Sequence, residues 1–287
     1  KTLINNVVFE EFEIIVSRFK EIPDHLEPAK DLNPIQQIAY DQLWTNFEDT
    51  NIQLLHGVTG SGKTELYIHL IQAIIENGQQ VLYLLPEIAL TTQIVSRLRK
   101  VFGDKMAVYH SKFSDNERVE TFREVSSGKF QLIVGVRSSV FLPFQDLGLI
   151  IVDEEHDSSY KQYEPAPRYN ARDTAIMLGV THHAKVVLGT ATPSVESYYN
   201  AKHGQWGYVP LLERFGNSQF PEIVPINTKQ LIKDAKSSFS TLLFDEIKLV
   251  TDKKKQVLIF QNRRGYAPFL KCKQCETIPS CKNCNVS

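Results

Sequence analysis

The first 271 residues contain no cysteine. All four, Cys272, Cys275, Cys281 and Cys284, fall in the last sixteen positions of a 287-residue chain. No disulfide can staple the body of such a fold, which suits a reducing compartment. No apolar run approaches the ~20 residues of a membrane span, and no signal-peptide pattern is visible. The expectation is a cytoplasmic protein with no membrane partner. A surplus of positive charge is missing too: 32 Lys and Arg stand against 33 Asp and Glu, a formal net charge of −1. Any nucleic-acid partner would have to be held by local patches and not by an overall basic surface. There is no internal repeat and no low-complexity tract. What remains is ordinary globular composition, 42% hydrophobic and 23% charged, in a chain long enough for one large domain or two smaller ones.

Against this background Gly57-Val58-Thr59-Gly60-Ser61-Gly62-Lys63-Thr64 stands out. It fits the phosphate-loop pattern G-x-x-x-x-G-K-[ST] in full. Ile52–His56 ahead of it reads as a short buried strand, and Glu65–Ile71 behind it has apolar residues at helical spacing. Strand, glycine turn and helix N-terminus together aim backbone N–H groups at an anion. The residues expected to cradle a nucleoside triphosphate are Gly57, Gly60, Ser61, Gly62, Lys63 and Thr64. Lys63 should reach the β- and γ-phosphates, and the Thr64 hydroxyl should ligate Mg²⁺.

From about Leu32 to Leu212 short apolar runs alternate with helical patterns. Strands are expected at 52–56, 81–85, 106–109, 131–134, 149–152 and 186–188, and helices at 91–102, 115–126 and 171–179. The alternation predicts an α/β domain with a mostly parallel sheet, covered on both faces, whose ligands bind beyond the carboxyl ends of the strands. The pattern weakens over 213–239, which reads as a linker. It returns with a helix at 242–250 and a strand at 256–260, the start of another unit. The expected organisation is therefore a flanking segment over 1–30, containing a helix-like stretch at 9–19, then an ATPase lobe over 31–212. A linker with the start of a second lobe follows over 213–271, then a partial zinc-binding region over 272–287. The start at Lys1 and the stop just after a metal-type motif lead us to expect a fragment of a longer protein.

The second half of a nucleotide site belongs at the end of another buried strand. Leu147–Val152 followed by Asp153-Glu154-Glu155-His156 fits. Asp153 is the natural Mg²⁺ partner, and Glu154 is placed to orient and deprotonate the attacking water. An Asp-Glu-x-His strand end paired with a phosphate loop marks the DExH motor ATPases, which brings His156 into the catalytic set. Three further blocks carry a closer resemblance: Pro86-Glu87-Ile88-Ala89-Leu90-Thr91, Gly189-Thr190-Ala191-Thr192-Pro193-Ser194 and Asn262-Arg263-Arg264-Gly265-Tyr266-Ala267-Pro268. With Asp157–Gln162, which continues the carboxylate block, they resemble the bacterial primosomal replication-restart helicases, the PriA family of superfamily 2, from about Leu32 to Cys284. That resemblance implies an ATP-dependent 3′→5′ DNA helicase with two RecA-like lobes. It implies that Gln36 reads the adenine and that Gly189–Thr192 couple ATP state to DNA grip. Single-stranded and forked DNA, primosome proteins and single-stranded DNA-binding protein are the implied partners. The family's later motifs, with the second lobe's arginine finger, are missing, so this polypeptide alone is expected to bind ATP but not to unwind.

Directly after the carboxylates, Ser158–Tyr169 holds Tyr160, Tyr163 and Tyr169 with Lys161 and Arg168, interrupted by Pro165 and Pro167. The prolines argue for an ordered loop. Rings that stack on bases beside cations that meet phosphates suit single-stranded DNA; the plainer reading is a packed surface loop anchored by tyrosines. The resembling family has an aromatic-rich loop at this place, thought to couple DNA to hydrolysis. Thr91 with Gln93, and Arg137 with Ser138 and Ser139, are weaker candidates for the DNA backbone. Arg97, Arg99 and Lys100 read as a solvated helix face, and His182-His183 as surface.

The pairs Cys272-x-x-Cys275 and Cys281-x-x-Cys284 are thiolate knuckles of zinc type. Only five residues separate them, short for sharing one Zn²⁺. In the resembling family further cysteines complete two separate sites, so half-sites without metal are expected here. Two other functions stay open at this point. One is a nucleotide-gated zinc and DNA-binding assembly module without motor activity; the other is a small-molecule kinase, against which Asp153–His156 and the tyrosine loop speak.

Overall fold

Among the described residues seven strands pair, every neighbour parallel, in the order β3-β4-β2-β5-β6-β1-β7. They are β1 (Ile52–Gly57), β2 (Gln80–Leu84), β3 (Met106–Tyr109), β4 (Leu132–Gly135), β5 (Leu147–Asp153), β6 (Lys185–Thr190) and β7 (Gly207–Leu211). This computed structural model describes residues 26–87, 89–110, 114–214, 222–226 and 240–260. The chain divides into two units, Lys1–Gln219, which carries the sheet, and Phe220–Ser287.

A parallel sheet must be covered on both faces, and the strands are written accordingly. All of β2 and β4 is buried, as is β5 up to Val152. Alternate residues feed two separate cores, as the two-residue strand period requires. On one face Leu55, Tyr83, Leu149, Ile151 and Val187 pack with Leu43 of α1 (Pro34–Asn46), Leu66 and Leu70 of α2 (Lys63–Glu76), and Leu98 and Phe102 of α3 (Thr92–Phe102). On the other, Leu54, Leu82, Ile150, Val152 and Leu188 pack with Val125 of α4 (Asp115–Ser126), Ala171 and Ala175 of α5 (Ala171–His182), and Ala201 of α6 (Val195–Lys202). The three-layer α/β domain with a parallel sheet is the fold class that the alternation predicts.

The strands expected between 52 and 188 form, with shifts of at most two residues at their ends. Thr91 lies just outside its helix, because its hydroxyl caps α3 by accepting from the Ile94 amide at 3.4 Å. The helix expected to end at Gly179 continues to His182; that glycine is a packing position, since a Cβ there would lie 2.4 Å from Val186. Helices α1 and α6 and strand β7 were not foreseen. Helix α1 starts at a capping box, Asn33 and Gln36 exchanging side-chain bonds to each other's amides, with Pro34 in the first turn. Strand β7 carries Pro210, tolerable on an edge strand where one side needs no donor.

In the second unit, α7 (Thr241–Asp252) forms as expected, capped by Ser240. The strand expected at 256–260 does not form: among the described residues it has no strand partner, and Leu258 and Phe260 are exposed. An extended run becomes a strand only when a neighbour takes its N–H and C=O groups. The helix-like stretch at 9–19, the block at 262–268, all four cysteines and much of the expected linker lie outside the described residues.

Gly189 in β6 shows how tightly sheet and site are joined. A Cβ there would lie 1.7 Å from the hydroxyl oxygen of Tyr67, a fully buried side chain of α2. Gly189→Ala should therefore destabilise the domain by about 1–3 kcal/mol in urea unfolding, and Tyr67→Phe in the same chain should restore part of the loss. An unchanged midpoint for the single variant would contradict this packing.

Candidate nucleotide site and the adjoining aromatic loop

Strand β1 ends at Gly57, and the turn after it is closed by the chain itself: the Val58 amide donates to Leu211 O at 3.1 Å and the Ser61 amide to Val58 O at 3.0 Å. Gly60 and Gly62 sit at φ 80° and 84°, a region that side chains avoid. Gly62 is the N-cap of α2, with no side chain bonding to the helix's first amides. Those amides are what an N-terminal anion site uses. The Ser61 hydroxyl is buried and has no hydrogen-bond partner among the described residues, a donor suited to a phosphate oxygen. The Lys63 ammonium donates to Gly57 O at 2.8 Å and lies 3.9 Å from Glu154 Oε1. Thr64, half-buried, is the second residue of α2. The residues therefore fit a nucleoside triphosphate with its metal.

Gln36 is buried with both amide atoms engaged. Nε2 donates to Ser61 O at 3.1 Å, and Oε1 accepts from the Asn33 amide at 3.0 Å. It braces the phosphate loop, and reading an adenine would require exchanging one of these bonds.

Strand β5 lies between β2 and β6, which brings its carboxyl end beside the loop. Asp153 Oδ1 accepts from the Tyr67 hydroxyl at 3.0 Å and the Glu154 amide at 3.1 Å, and Oδ2 accepts from the Tyr83 hydroxyl at 3.3 Å. Burial, reinforced by neighbouring Glu154, pushes its pKa up to about 6, while Lys63 and the Tyr67 bond pull the other way. Burial and then Asp153 raise both tyrosine hydroxyls well above their ordinary range, so they remain donors. Glu154 adopts φ 47°, a left-handed conformation that strains a residue with a side chain. Its two oxygens face Lys63 Nζ at 3.9 Å and His156 Nδ1 at 3.8 Å. His156 Nδ1 pairs with Thr190 Oγ1 at 2.7 Å, and its Nε2 lies 3.4 Å from Thr192 Oγ1. Turn 153–156 and segment 189–192 thus form one network.

Glu155 was not singled out from the sequence. Its side chain is fully buried and paired with Arg172 at 3.1 Å. Tyr67, Tyr83 and Arg172 were likewise missed. An acidic run does not reveal which of its carboxylates points inward.

The loop after the carboxylates is ordered, as the prolines suggested, and it corrects one expectation. Tyr160 is 1% exposed and its hydroxyl donates to Asp153 O at 2.6 Å and Leu84 O at 3.1 Å. A ring inside the core does not stack on a base; Tyr160 is the loop's anchor. Arg137 also serves the loop, donating to the carbonyls of Ser159 at 3.3 Å and Lys161 at 3.4 Å. Beyond these, Lys161 and Asn170 form an antiparallel bridge. Gln162 donates from its amide to Tyr169 O at 2.9 Å, and from Nε2 to Pro165 O and Pro167 O. Lys161 Nζ donates to Arg168 O at 2.9 Å. Tyr163 and Arg168 remain exposed, while half-buried Tyr169 meets Phe141 edge-on at 4.8 Å. Phe141 is itself 56% exposed and was not anticipated.

Thr91 is exposed at the start of α3. Arg97 is not simply solvated: it pairs with Glu65, in the first turn of α2. Lys100 pairs with Glu27 at 2.8 Å on the surface. Exposed His183 ends α5 in a left-handed conformation. Among the described residues no group of three or more His, Cys, Asp or Glu is arranged to hold a metal ion; Cys272, Cys275, Cys281 and Cys284 lie outside them.

Residues 33–201 match the family model described as DEAD/DEAH box helicase. Among curated proteins, the replication restart protein PriA of Rickettsia felis is 45% identical over 240 residues, 83% of this chain and 37% of that protein. PriA of Bacillus subtilis is 40% identical over 241 residues, 84% of this chain and 30% of its own. The chain thus spans about a third of the length of the curated relatives it matches. Of solved structures, RecG bound to a three-way DNA junction aligns over 66% of this chain and 25% of that one, at 20% identity and a TM-score of 0.49.

Asp153 gives a pH prediction whose sign is fixed. Its pKa is about 6 folded against 3.8 for an unperturbed carboxyl, so the folded state holds the proton more tightly. The associated stability is fully present below pH 3.8 and is lost as pH rises through 6. Asp153→Asn lacks that loss. Its stability relative to wild type should grow by on the order of 2–3 kcal/mol between pH 4 and 7.5, read from urea midpoints. Parallel pH profiles for the two proteins would rule this out.

Proposed function

The chain belongs to the DEAD/DEAH box helicase family, and from that premise we propose that it is an ATP-hydrolysing, RecA-like lobe of a 3′→5′ DNA helicase acting in replication restart. One observation carries the reading: the Lys63 ammonium at the end of β1 and the Glu154 carboxylate at the end of β5 face each other at 3.9 Å, with Asp153 beside them. In this reading the phosphate loop binds the triphosphate, Lys63 neutralises its terminal charge, and Glu154 accepts the proton of the attacking water as its oxygen bonds to the γ-phosphorus. The bond to the β–γ bridging oxygen breaks and ADP leaves with that electron pair. Thr64 and Asp153 would hold Mg²⁺, whose charge stabilises the phosphate oxygens during transfer. His156, bound to Thr190 and near Thr192, relays the state of this site to the 189–192 segment.

On the nucleic-acid side, exposed Tyr163 and Arg168, with Lys161, Tyr169 and Thr91, are the residues we assign to single-stranded and forked DNA. Primosome proteins and single-stranded DNA-binding protein are the proposed partners, supported by similarity to PriA proteins. Relatives run about three times as long, and a second lobe with the arginine finger would complete the motor there. We place Zn²⁺ in the protein at full encoded length, where further cysteines would complete the half-sites Cys272/Cys275 and Cys281/Cys284, and the protein in the cytoplasm; no described helix is long and apolar enough to cross a membrane.

The test is ATP turnover by the protein at its full encoded length, with and without forked DNA. Turnover should rise with DNA. Lys63→Ala should abolish nucleotide binding, whereas Glu154→Gln should retain it and lower kcat by at least ~10²-fold. Replacing Lys161, Tyr163 and Arg168 together by Ala should raise the DNA concentration for half-maximal stimulation at least ~10-fold, as lost stacking and phosphate contacts require. Hydrolysis indifferent to DNA would refute the motor reading and favour the assembly module.

A further inference from the structure

Glu155 stands between two residues that function explains, yet its own carboxylate touches neither nucleotide site nor solvent. It is fully buried and takes four donors: the Ser194 amide at 2.7 Å, Ser194 Oγ at 3.1 Å, Ser197 Oγ at 2.8 Å and Arg172 Nη1 at 3.1 Å. An ion pair this deep is a weak source of stability, since desolvation offsets attraction. Its position explains it better.

Arg172 is the second residue of α5, directly after the aromatic loop. Asn170 closes that loop through the bridge to Lys161 and caps α5 by accepting from the Arg172 amide at 3.0 Å. The start of the loop is already fixed by Tyr160 on the Asp153 carbonyl. Its far end is fixed by Arg172 on Glu155. The Glu155 amide in turn donates to Gly189 O at 3.2 Å. Glu154 and Glu155 share a peptide unit, so whatever holds Glu155 inward holds Glu154 in its strained φ of 47°.

We infer that the Glu155–Arg172 ion pair is a positioning device: it fastens the far end of the aromatic loop to the turn that aims Glu154, and transmits displacement of the loop to that carboxylate. The inference rests on the proposed motor function, and neither residue touches nucleotide or DNA in it.

The experiment compares Glu155→Gln, Arg172→Gln and the double variant in the protein at full encoded length, measuring ATP KM, half-saturating DNA concentration and DNA-stimulated kcat. A positioning pair predicts stimulated kcat down at least ~10-fold in each single variant, with KM and DNA half-saturation within ~2-fold. It also predicts that the double variant is no worse than the worse single, since both break one link. Ser197→Ala removes one donor to Glu155 and leaves the ion pair, so it should stay within ~2-fold of wild type. If Ser197→Ala loses as much as Arg172→Gln, Glu155 is a packing centre and the inference falls. Should Arg172→Gln fail to fold, Arg172→Lys keeps the charge; an intermediate loss of stimulated kcat supports the link, and full stimulation overturns it. Wild type that ignores DNA would overturn the motor reading and this inference together. Stimulated wild type with fully stimulated variants would overturn this inference alone.

Discussion

A carboxylate at the end of a strand buried in mid-sheet must be stabilised by whatever the surrounding elements bring to it, and much of this domain is arranged around meeting that need at Asp153. The donors come from three places: Tyr67 from the helix that begins at the phosphate loop, Tyr83 from the adjacent strand, and the amide of Glu154. Each fixes something else. Tyr67 sets α2 against β5, and its hydroxyl occupies the space over β6 that leaves room only for Gly189. These bonds and Lys63 together do not outweigh burial, and the group sits near pH 6. Such a carboxylate favours a neighbouring cation, because added positive charge reverses the shift. The electrostatics that make Asp153 costly are those expected of a metal partner.

The next residues convert that strand end into a junction. Turning at φ 47° sends Glu154 toward Lys63 and Glu155 into the core on the opposite side. Backbone strain of this kind, on the order of 1–2 kcal/mol, persists only where the surroundings over-determine it. Here the surroundings are Gly189 O on the Glu155 amide and four donors on its carboxylate. His156 then meets Thr190. Three consecutive side chains therefore reach the phosphate loop, the core and the 189–192 segment, and none can turn without loading the others.

What the sequence made legible follows from what each element needs locally. Buried parallel strands appear as short apolar runs, and the phosphate loop needs its glycines and lysine in order, so six of the sheet's seven strands, the loop and the strand-end carboxylates could be placed in advance, while edge strand β7 could not. The starts expected for α3 and α4 fall within one residue of those observed, whereas α1 went unforeseen although it opens on a capping box. Residues whose meaning depends on the third dimension were not. Tyr160 has the composition of a base-stacking ring and the position of a core anchor, and only burial decides between them. Glu155 looks like one more acid in a solvated turn. Val257–Phe260 has the apolar character of a strand, but no partner pairs with it among the described residues. Arg97 looked solvated because Glu65, its partner, lies 32 residues away in sequence.

The aromatic loop divides its residues by depth, and that division has a mechanical consequence. At its ends, Tyr160 and Arg172 are bound to the backbone or side chains of the 153–155 turn. Within it, Gln162 bonds to three carbonyls across the loop, and Lys161 reaches Arg168 O. Only the tip, with Tyr163 and Arg168, is open to solvent. A loop held only at its ends would absorb a push on the tip by rearranging its own backbone. One crosslinked throughout loses that freedom, and it shifts as a body against its attachments: Arg137 holds its near end, and Tyr160 and Arg172 tie it to the turn that aims Glu154. In the proposed motor, the stiffness of the loop, more than the number of its aromatic rings, would carry an event at the surface to the phosphate loop.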